Sequence, residues 1–152
     1  MVQDQGMNRM AGRLILLWNE SVLMMQGGDP STPELGEWLF TIGGGCEPGE
    51  TTADAARREA FEEAGMDLPE DLGPVILRRN VEFLFNGSVI AQSEDYYLCD
   101  APHSKVDVSG WTAEEQRAVS SVRWWTLDEL RATNLSVFPE GLVELIESRI
   151  AR

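Results

Sequence analysis

The chain has 152 residues, 43% of them hydrophobic, with a formal net charge of -14. A domain of that length buries roughly 68–70% of the surface its unfolded chain exposes, so a core forms without disulfide or metal staples. The charge opposes a nucleic-acid polymer as partner, because such binding rests on clustered Lys and Arg, and no run of eighteen apolar residues offers a membrane span.

The opening stretch MVQDQGMNRM lacks the basic start and apolar run of a secretion signal. Cys46 and Cys99 have no partner at zinc-ligand or redox-motif spacing. Free thiols and a cytoplasmic setting are therefore expected. Arg13 to Trp18 and Ser21 to Met25 are β-type runs separated by Asn19-Glu20, which predicts a hairpin. A polar, Gly- and Pro-rich loop, Gln26 to Glu37, precedes the short strand Trp38-Leu39-Phe40, and the triple glycine Gly43-Gly44-Gly45 is expected just after that strand. Thr51 or Thr52 caps a predicted helix that carries Asp54 in its first turn and ends at Ala64, where Gly65 supplies a left-handed residue.

Val75 to Phe85 and Ser88 to Cys99 read as two long strands around Asn86-Gly87, a strong hairpin signal, and Val119 to Trp125 as a further strand. Thr126 to Leu130 is a capped helical turn. Glu140 to Ile150 repeats Leu142, Leu145, Ile146 and Ile150 at helical spacing. Strands interleaved with helices predict an α/β (α+β) fold, a mixed sheet between helices, in one domain spanning residues 1–152.

The helix after the glycines carries an unusual charge pattern. Ala53, Ala56, Ala60 and Ala64 form a narrow stripe of small residues, and Glu59, Glu62 and Glu63 occupy the adjoining arc. Like charges at helical spacing cost about 0.2–0.5 kcal/mol a pair, and acids in the last turn face an unfavourable helix dipole worth about 0.3–1 kcal/mol. A hard divalent cation turns both costs into binding, so the cluster reads as a site for magnesium or manganese. Arg58 is placed to pair with Asp54 one turn earlier and to reach Glu50.

Gly44, five residues, Glu50, seven residues, then Arg58-Glu59-Ala60-Phe61-Glu62-Glu63-Ala64-Gly65-Met66 resembles the signature of the Nudix hydrolases at every charged and glycine position. Ala60 and Met66 stand where the family prefers larger aliphatic residues, a difference of packing rather than charge. The resemblance implies a Nudix-type α/β/α sandwich and hydrolysis of a nucleoside diphosphate linked to another group, with water attacking phosphorus and Mg2+ or Mn2+ bridging enzyme and diphosphate. By position in the motif, Glu59, Glu62 and Glu63 would ligate metal, Glu50 would assist or act through Arg58, and the Gly44 carbonyl would complete the shell. The family draws its general base from the box or from a distant loop. Glu115, with Glu114 and Glu94 as rivals, is the candidate outside the box.

Arg78 and Arg79 alternate on a strand, so one of them faces a substrate phosphate, and Trp38 or Phe40 offers a ring for a base. His103, alone in a polar loop, and Cys46 read as incidental. The implied partner is a small nucleotide or nucleoside diphosphate derivative, such as a nucleoside triphosphate, nucleotide sugar or ADP-ribose. Family members are often dimers, so a homodimer is one expected arrangement. A Nudix-shaped sensor without turnover is the second reading, disfavoured by the complete set of box acids. The isopentenyl diphosphate isomerase branch ranks last because its extra cysteine motif is missing. Specificity is expected in Gln26 to Glu37 and Ala101 to Glu115, since the Asn80 to Leu84 segment carries neither the Tyr nor the Pro used to mark subfamilies.

Overall fold

A computed structural model describes residues 7–85 and 87–150, without the side chains of Met7 and Phe85. The first six residues of the opening stretch, and Asn86 of the expected Asn86-Gly87 turn, lie outside the described residues. The elements in order are β1 (Met7–Trp18), β2 (Ser21–Gly27), a 3-10 turn (Pro33–Leu35), β3 (Trp38–Gly45), α1 (Thr52–Ala64), β4 (Leu77–Phe85), β5 (Ser88–Asp100), α2 (Ala113–Ala118), β6 (Val119–Thr126), α3 (Leu127–Ala132) and α4 (Leu142–Ile150).

The β1–β2 hairpin closes where predicted, with Asn19 and Glu20 both at positive φ, 50° and 65°, as a two-residue turn matched to strand twist requires. The six strands form one sheet in the order β4-β5-β1-β3-β2-β6. β1 and β5 run parallel over eleven residue pairs, and the other neighbours are antiparallel, so the sheet is mixed as expected.

The glycines depart from the expectation. Gly43, Gly44 and Gly45 are not beyond the strand but inside it, paired with Arg13, Gly12 and Ala11 of β1. β3 pairs first with β2, from Gly27↔Trp38 to Met24↔Thr41, and then with β1, from Leu14↔Ile42 to Ala11↔Gly45. Both pairings are antiparallel and β1 is antiparallel to β2. The strand therefore passes from one arm of the β1–β2 hairpin to the other near Ile42, and Gly43, at φ 145°, supplies backbone that side chains rarely permit.

Alternation along the strands sorts the core into two halves. Leu14, Leu16, Leu23, Met25 and Ile42 face α1, where Ala56, Ala60 and Ala64 meet them. Ile15, Leu17, Val22, Met24, Leu39 and Tyr96 face α3 and α4, where Leu130, Leu142 and Ile146 cover them. The result is the α/β/α sandwich expected from the sequence. α1 sits unusually close to the sheet. A Cβ built on Gly12 would fall 1.8 Å from the Thr52 carbonyl oxygen. Among the described residues no helix is long and apolar enough to cross a membrane.

Candidate functional site

α1 begins and ends as its sequence predicts. The Thr51 hydroxyl accepts from the Asp54 N–H, the Asp54 carboxylate accepts from the Thr51 N–H, and Gly65 closes the helix in the left-handed region at φ 69°. Asp54 is thereby occupied, and the expected Arg58–Asp54 pair gives way to a larger set around Arg58. The guanidinium donates to Glu50 through Nε (2.8 Å) and Nη2 (3.0 Å), to the Gly45 carbonyl (2.9 Å), to Glu59 (3.1 Å) and to Glu62 (3.2 Å). This two-pronged grip fixes the loop before α1 to the helix. The hydrogen bonds from Arg58 hold the Glu50 carboxyl below its usual range and push the Arg58 guanidinium up.

The acids of α1 then divide by direction. Glu63 is buried, and one of its oxygens accepts from the Gly43 N–H at 3.1 Å. That donor is free because the ladder between β2 and β3 stops at Thr41. Burial first, then the neighbouring charge of Glu59, pushes the Glu63 carboxyl well above the ordinary carboxylate range. Burial also raises Glu59, against the opposing pull of Arg58. Glu59 leans on Gly44, where a Cβ would fall 2.5 Å from its Oε2. Glu62, with its side chain 45% exposed, stays on the rim under Arg58.

The third carboxylate comes from outside the helix. Glu115 brings an oxygen to Glu59 and Glu63 so that one ligand atom from each of the three lies within 4.8 Å of the others. It is carried by α2, a six-residue helix capped by Thr112 in the same reciprocal box used by α1. The preceding segment docks on the end of α1: the Trp111 indole N–H donates to the Glu63 carbonyl (2.8 Å) and the Asp107 N–H to the Ala64 carbonyl (2.9 Å). The sequence reading placed Glu115 in a loop and missed this helix. Its signal, Thr112-Ala-Glu-Glu115, is a capping box without enough following residues to show a period. Glu114 is exposed on the same helix, and Glu94 is buried on the other face of the sheet.

The three clustered carboxylates, one of them buried and accepting from the Gly43 N–H, fit a hard divalent cation. Like charges at this spacing are costly unless a cation or proton intervenes. Of the other sequence candidates, Arg78 is largely exposed and pairs with Asp95 at 2.8 Å, on the face of α1. Arg79 points to the opposite face, 3.7 Å from Glu94 and over the Phe138 ring at 5.9 Å. Phe40 packs against the core beside α1, and Trp38 is half-buried at the start of β3. A cleft of about 610 Å³ opens elsewhere, at the end of β1, β4 and β5, with Met10, Asn80 and Ser93 in its wall and none of the three carboxylates.

Comparison with known proteins gives a consistent result. The profile of the NUDIX domain matches residues 8–146. A MutT NUDIX hydrolase from Burkholderia pseudomallei shares the fold at 21% identity and a TM-score of 0.63, over 91% of this chain and 98% of that one. An ADP-ribose pyrophosphatase from Streptococcus suis does so at 14% identity and 0.59, over 93% and 92%. A bifunctional NMN adenylyltransferase/ADP ribose pyrophosphatase from Francisella tularensis, in complex with AMP and a manganese ion, matches at 14% identity and 0.62, over 99% of this chain and 44% of its own. No curated protein sequence matches significantly. Identities this low speak for the fold alone, whereas the profile covers nearly the whole chain and includes the loop and helix built around Arg58, so the chain belongs to the NUDIX family of hydrolases.

Proposed function

We propose that the protein hydrolyses a diphosphate linkage in a small nucleoside diphosphate derivative, with Mg2+ or Mn2+ as its cofactor. The observation that supports this reading is the convergence of Glu59, Glu63 and Glu115 around a buried carboxylate. Glu59 and Glu63 would hold the ion, with Glu62 and the Gly44 carbonyl at its edge and Glu50 acting through Arg58. The ion, when bound, neutralises phosphate charge and makes water a stronger nucleophile. Glu115 then has the position to take the proton from the attacking water. Its Oε1 accepts from the Thr112 N–H, which fixes the carboxylate, and the group brings an oxygen to the cluster. As the water oxygen bonds to phosphorus, the bridging P–O bond breaks and the departing phosphate takes its electron pair. Arg58 keeps the two acid-bearing segments in register throughout.

Arg78, Arg79, Trp38 and Phe40 remain the sequence-derived candidates for holding the rest of the substrate. A nucleic-acid polymer is a poor fit to a charge of -14. The test is phosphate release, coupled to a pyrophosphatase and a phosphatase, from nucleoside triphosphates, ADP-ribose, nucleotide sugars and dinucleoside polyphosphates with each metal. Metal-dependent release that falls by two or more orders of magnitude in Glu62→Gln and Glu63→Gln supports the reading. Silence across the panel, with nucleotides still raising the melting temperature, favours a sensor.

A further inference from the structure

The segment that delivers Glu115 is tied to the helix that delivers Glu59 and Glu63, and the tie is made at the end of that helix. The last carbonyls of an α-helix have no partner within it. In α1 two of them are taken by the arm 107–111 that precedes α2: Ala64 accepts from the Asp107 N–H (2.9 Å) and Glu63 from the Trp111 indole N–H (2.8 Å). A third, on Glu62, lies so close to Gly110 that a Cβ there would fall 2.7 Å from its oxygen. The Asp107 carboxylate shapes the arm by accepting from the Ser109 N–H at 2.9 Å. The residue gripped by the indole at its backbone is thus the one whose side chain is buried in the cluster.

Water commonly satisfies such carbonyls, so the helix end by itself does not require a tryptophan. α2 does. It has six residues, and none of them is buried. A helix so short is not stable in isolation, and no side chain of its own seats it in the core. Trp111 stands immediately before the Thr112 cap, and its ring packs against the core cluster that holds Ala60 and Ala64. The Thr112 N–H donates to the Glu115 Oε1 at 2.8 Å, and the Thr112 hydroxyl accepts from the Glu115 N–H at 3.1 Å. The path from the Glu63 carbonyl to the Glu115 carboxylate is therefore one indole, one peptide link and one capping box. The other end of α2 runs into β6, where the Ala118 carbonyl accepts from the Gly28 N–H at 3.0 Å.

That path works against electrostatics. Glu59, Glu63 and Glu115 bring oxygens within 4.8 Å of one another. Without a cation the like charges drive Glu115, on an element with no buried residue, away from the other two. A tether that opposes this movement keeps the third carboxylate where an ion needs it, and outer partners of this kind commonly carry about ten- to a hundredfold of a metal's affinity.

We propose that Trp111 is a positioning residue: its indole N–H, docked on the Glu63 carbonyl, holds the Glu115 carboxylate at the cluster before a cation arrives. The inference rests on the hydrolase reading for the identity of the cation, and it is testable without turnover. Titration calorimetry with Mn2+, in the absence of nucleotide, compares the parent chain with Trp111→Phe, Gly110→Ala, Glu115→Gln and the double variant of Trp111→Phe with Glu115→Gln. Trp111→Phe keeps a ring and loses the N–H, whereas Gly110→Ala lifts the arm at a different atom, so a folding fault in one leaves the other to be read. Mn2+ affinity should fall about tenfold in each single variant. In the double variant it should be no lower than in Glu115→Gln, because the tether then has nothing left to position. A tryptophan that merely caps α1 or fills space gives losses that add. Additive losses, an affinity unmoved by both Trp111→Phe and Gly110→Ala, or one unmoved by Glu115→Gln overturns the proposal. Turnover on the panel above separates it from the function it rests on. Hydrolysis accompanied by additive losses overturns the tether and leaves the hydrolase standing. Non-additive losses with no compound hydrolysed do the reverse, and a parent chain that binds no Mn2+ overturns both.

Discussion

The two faces of the sheet are packed by different means. Against α3 and α4 the protein uses bulk: Ile15, Leu39, Leu142 and Ile146 are wholly or almost wholly buried and fill the space between layers. Against α1 it uses closeness, with alanines on the helix and glycines beneath it, so that the backbones nearly touch. Closeness also places charge: it sets the Glu63 carboxylate on the Gly43 N–H and the Glu59 carboxylate against Gly44.

The sharpest test of that division is Glu63→Gln. Turnover should fall at least about a hundredfold, close to 3 kcal/mol of barrier, while the metal-free fold at neutral pH is as stable as before or more so. Equal losses of stability and rate would mean that the acid belongs to the packing. The converse test is Ile146→Ala, which opens a cavity in the bulk-packed face at a cost of about 2–5 kcal/mol by urea titration. Its folded fraction should keep the turnover of the parent chain.

Gly12→Ala attacks closeness itself. With the new methyl group 1.8 Å from the Thr52 carbonyl, α1 has to lift, and overpacking of this kind costs about 1–3 kcal/mol. The rise in melting temperature produced by Mg2+ should shrink with it, because the carboxylates ride on the helix. An unchanged metal response would show that the close approach is incidental to the site.

The acids also predict a pH dependence of opposite sign to the common one. Glu59 and Glu63 have folded values above their ordinary 4.5. Their contribution to stability is therefore whole below about that pH and is lost as pH rises through the folded values. The metal-free protein should lose stability on this limb, and Mg2+ should restore it at neutral pH but not in acid. A metal-free melting profile that climbs steadily from acid to neutral pH would contradict the assignment. The smallest effect belongs to the cap. Thr51→Ala removes one partner of the reciprocal box and should cost about 0.5–2 kcal/mol, read by thermal melting, with the metal response retained.

The acidic helix was legible because its information is local. Gly44 to Met66 is one continuous stretch in which spacing alone fixes the cap, the Ala stripe and the arc of glutamates. The hairpin at Asn19-Glu20 and the amphipathic tail were legible for the same reason. The course of the glycines was not. Whether Gly43 to Gly45 continue a strand depends on β1 lying alongside, and no property of three glycines announces that partner.

Glu115 and the arginines of β1 mark the boundary most clearly. Arg9 and Arg13 are four apart on a strand and so had to share a face, but which face, and whether Arg79 or Arg78 joined them, followed only from pairing with β5. Glu115 reaches the cluster because Trp111 and Asp107 dock on the end of α1. By itself the sequence determined the helix, its caps and the acids it carries, since these depend on residues within a few turns of one another. The tertiary structure decided which acids meet, which stay on the rim and which face the arginines of β1 and β4 share, because those outcomes rest on contacts between segments whose order along the chain carries no record of their distance in space.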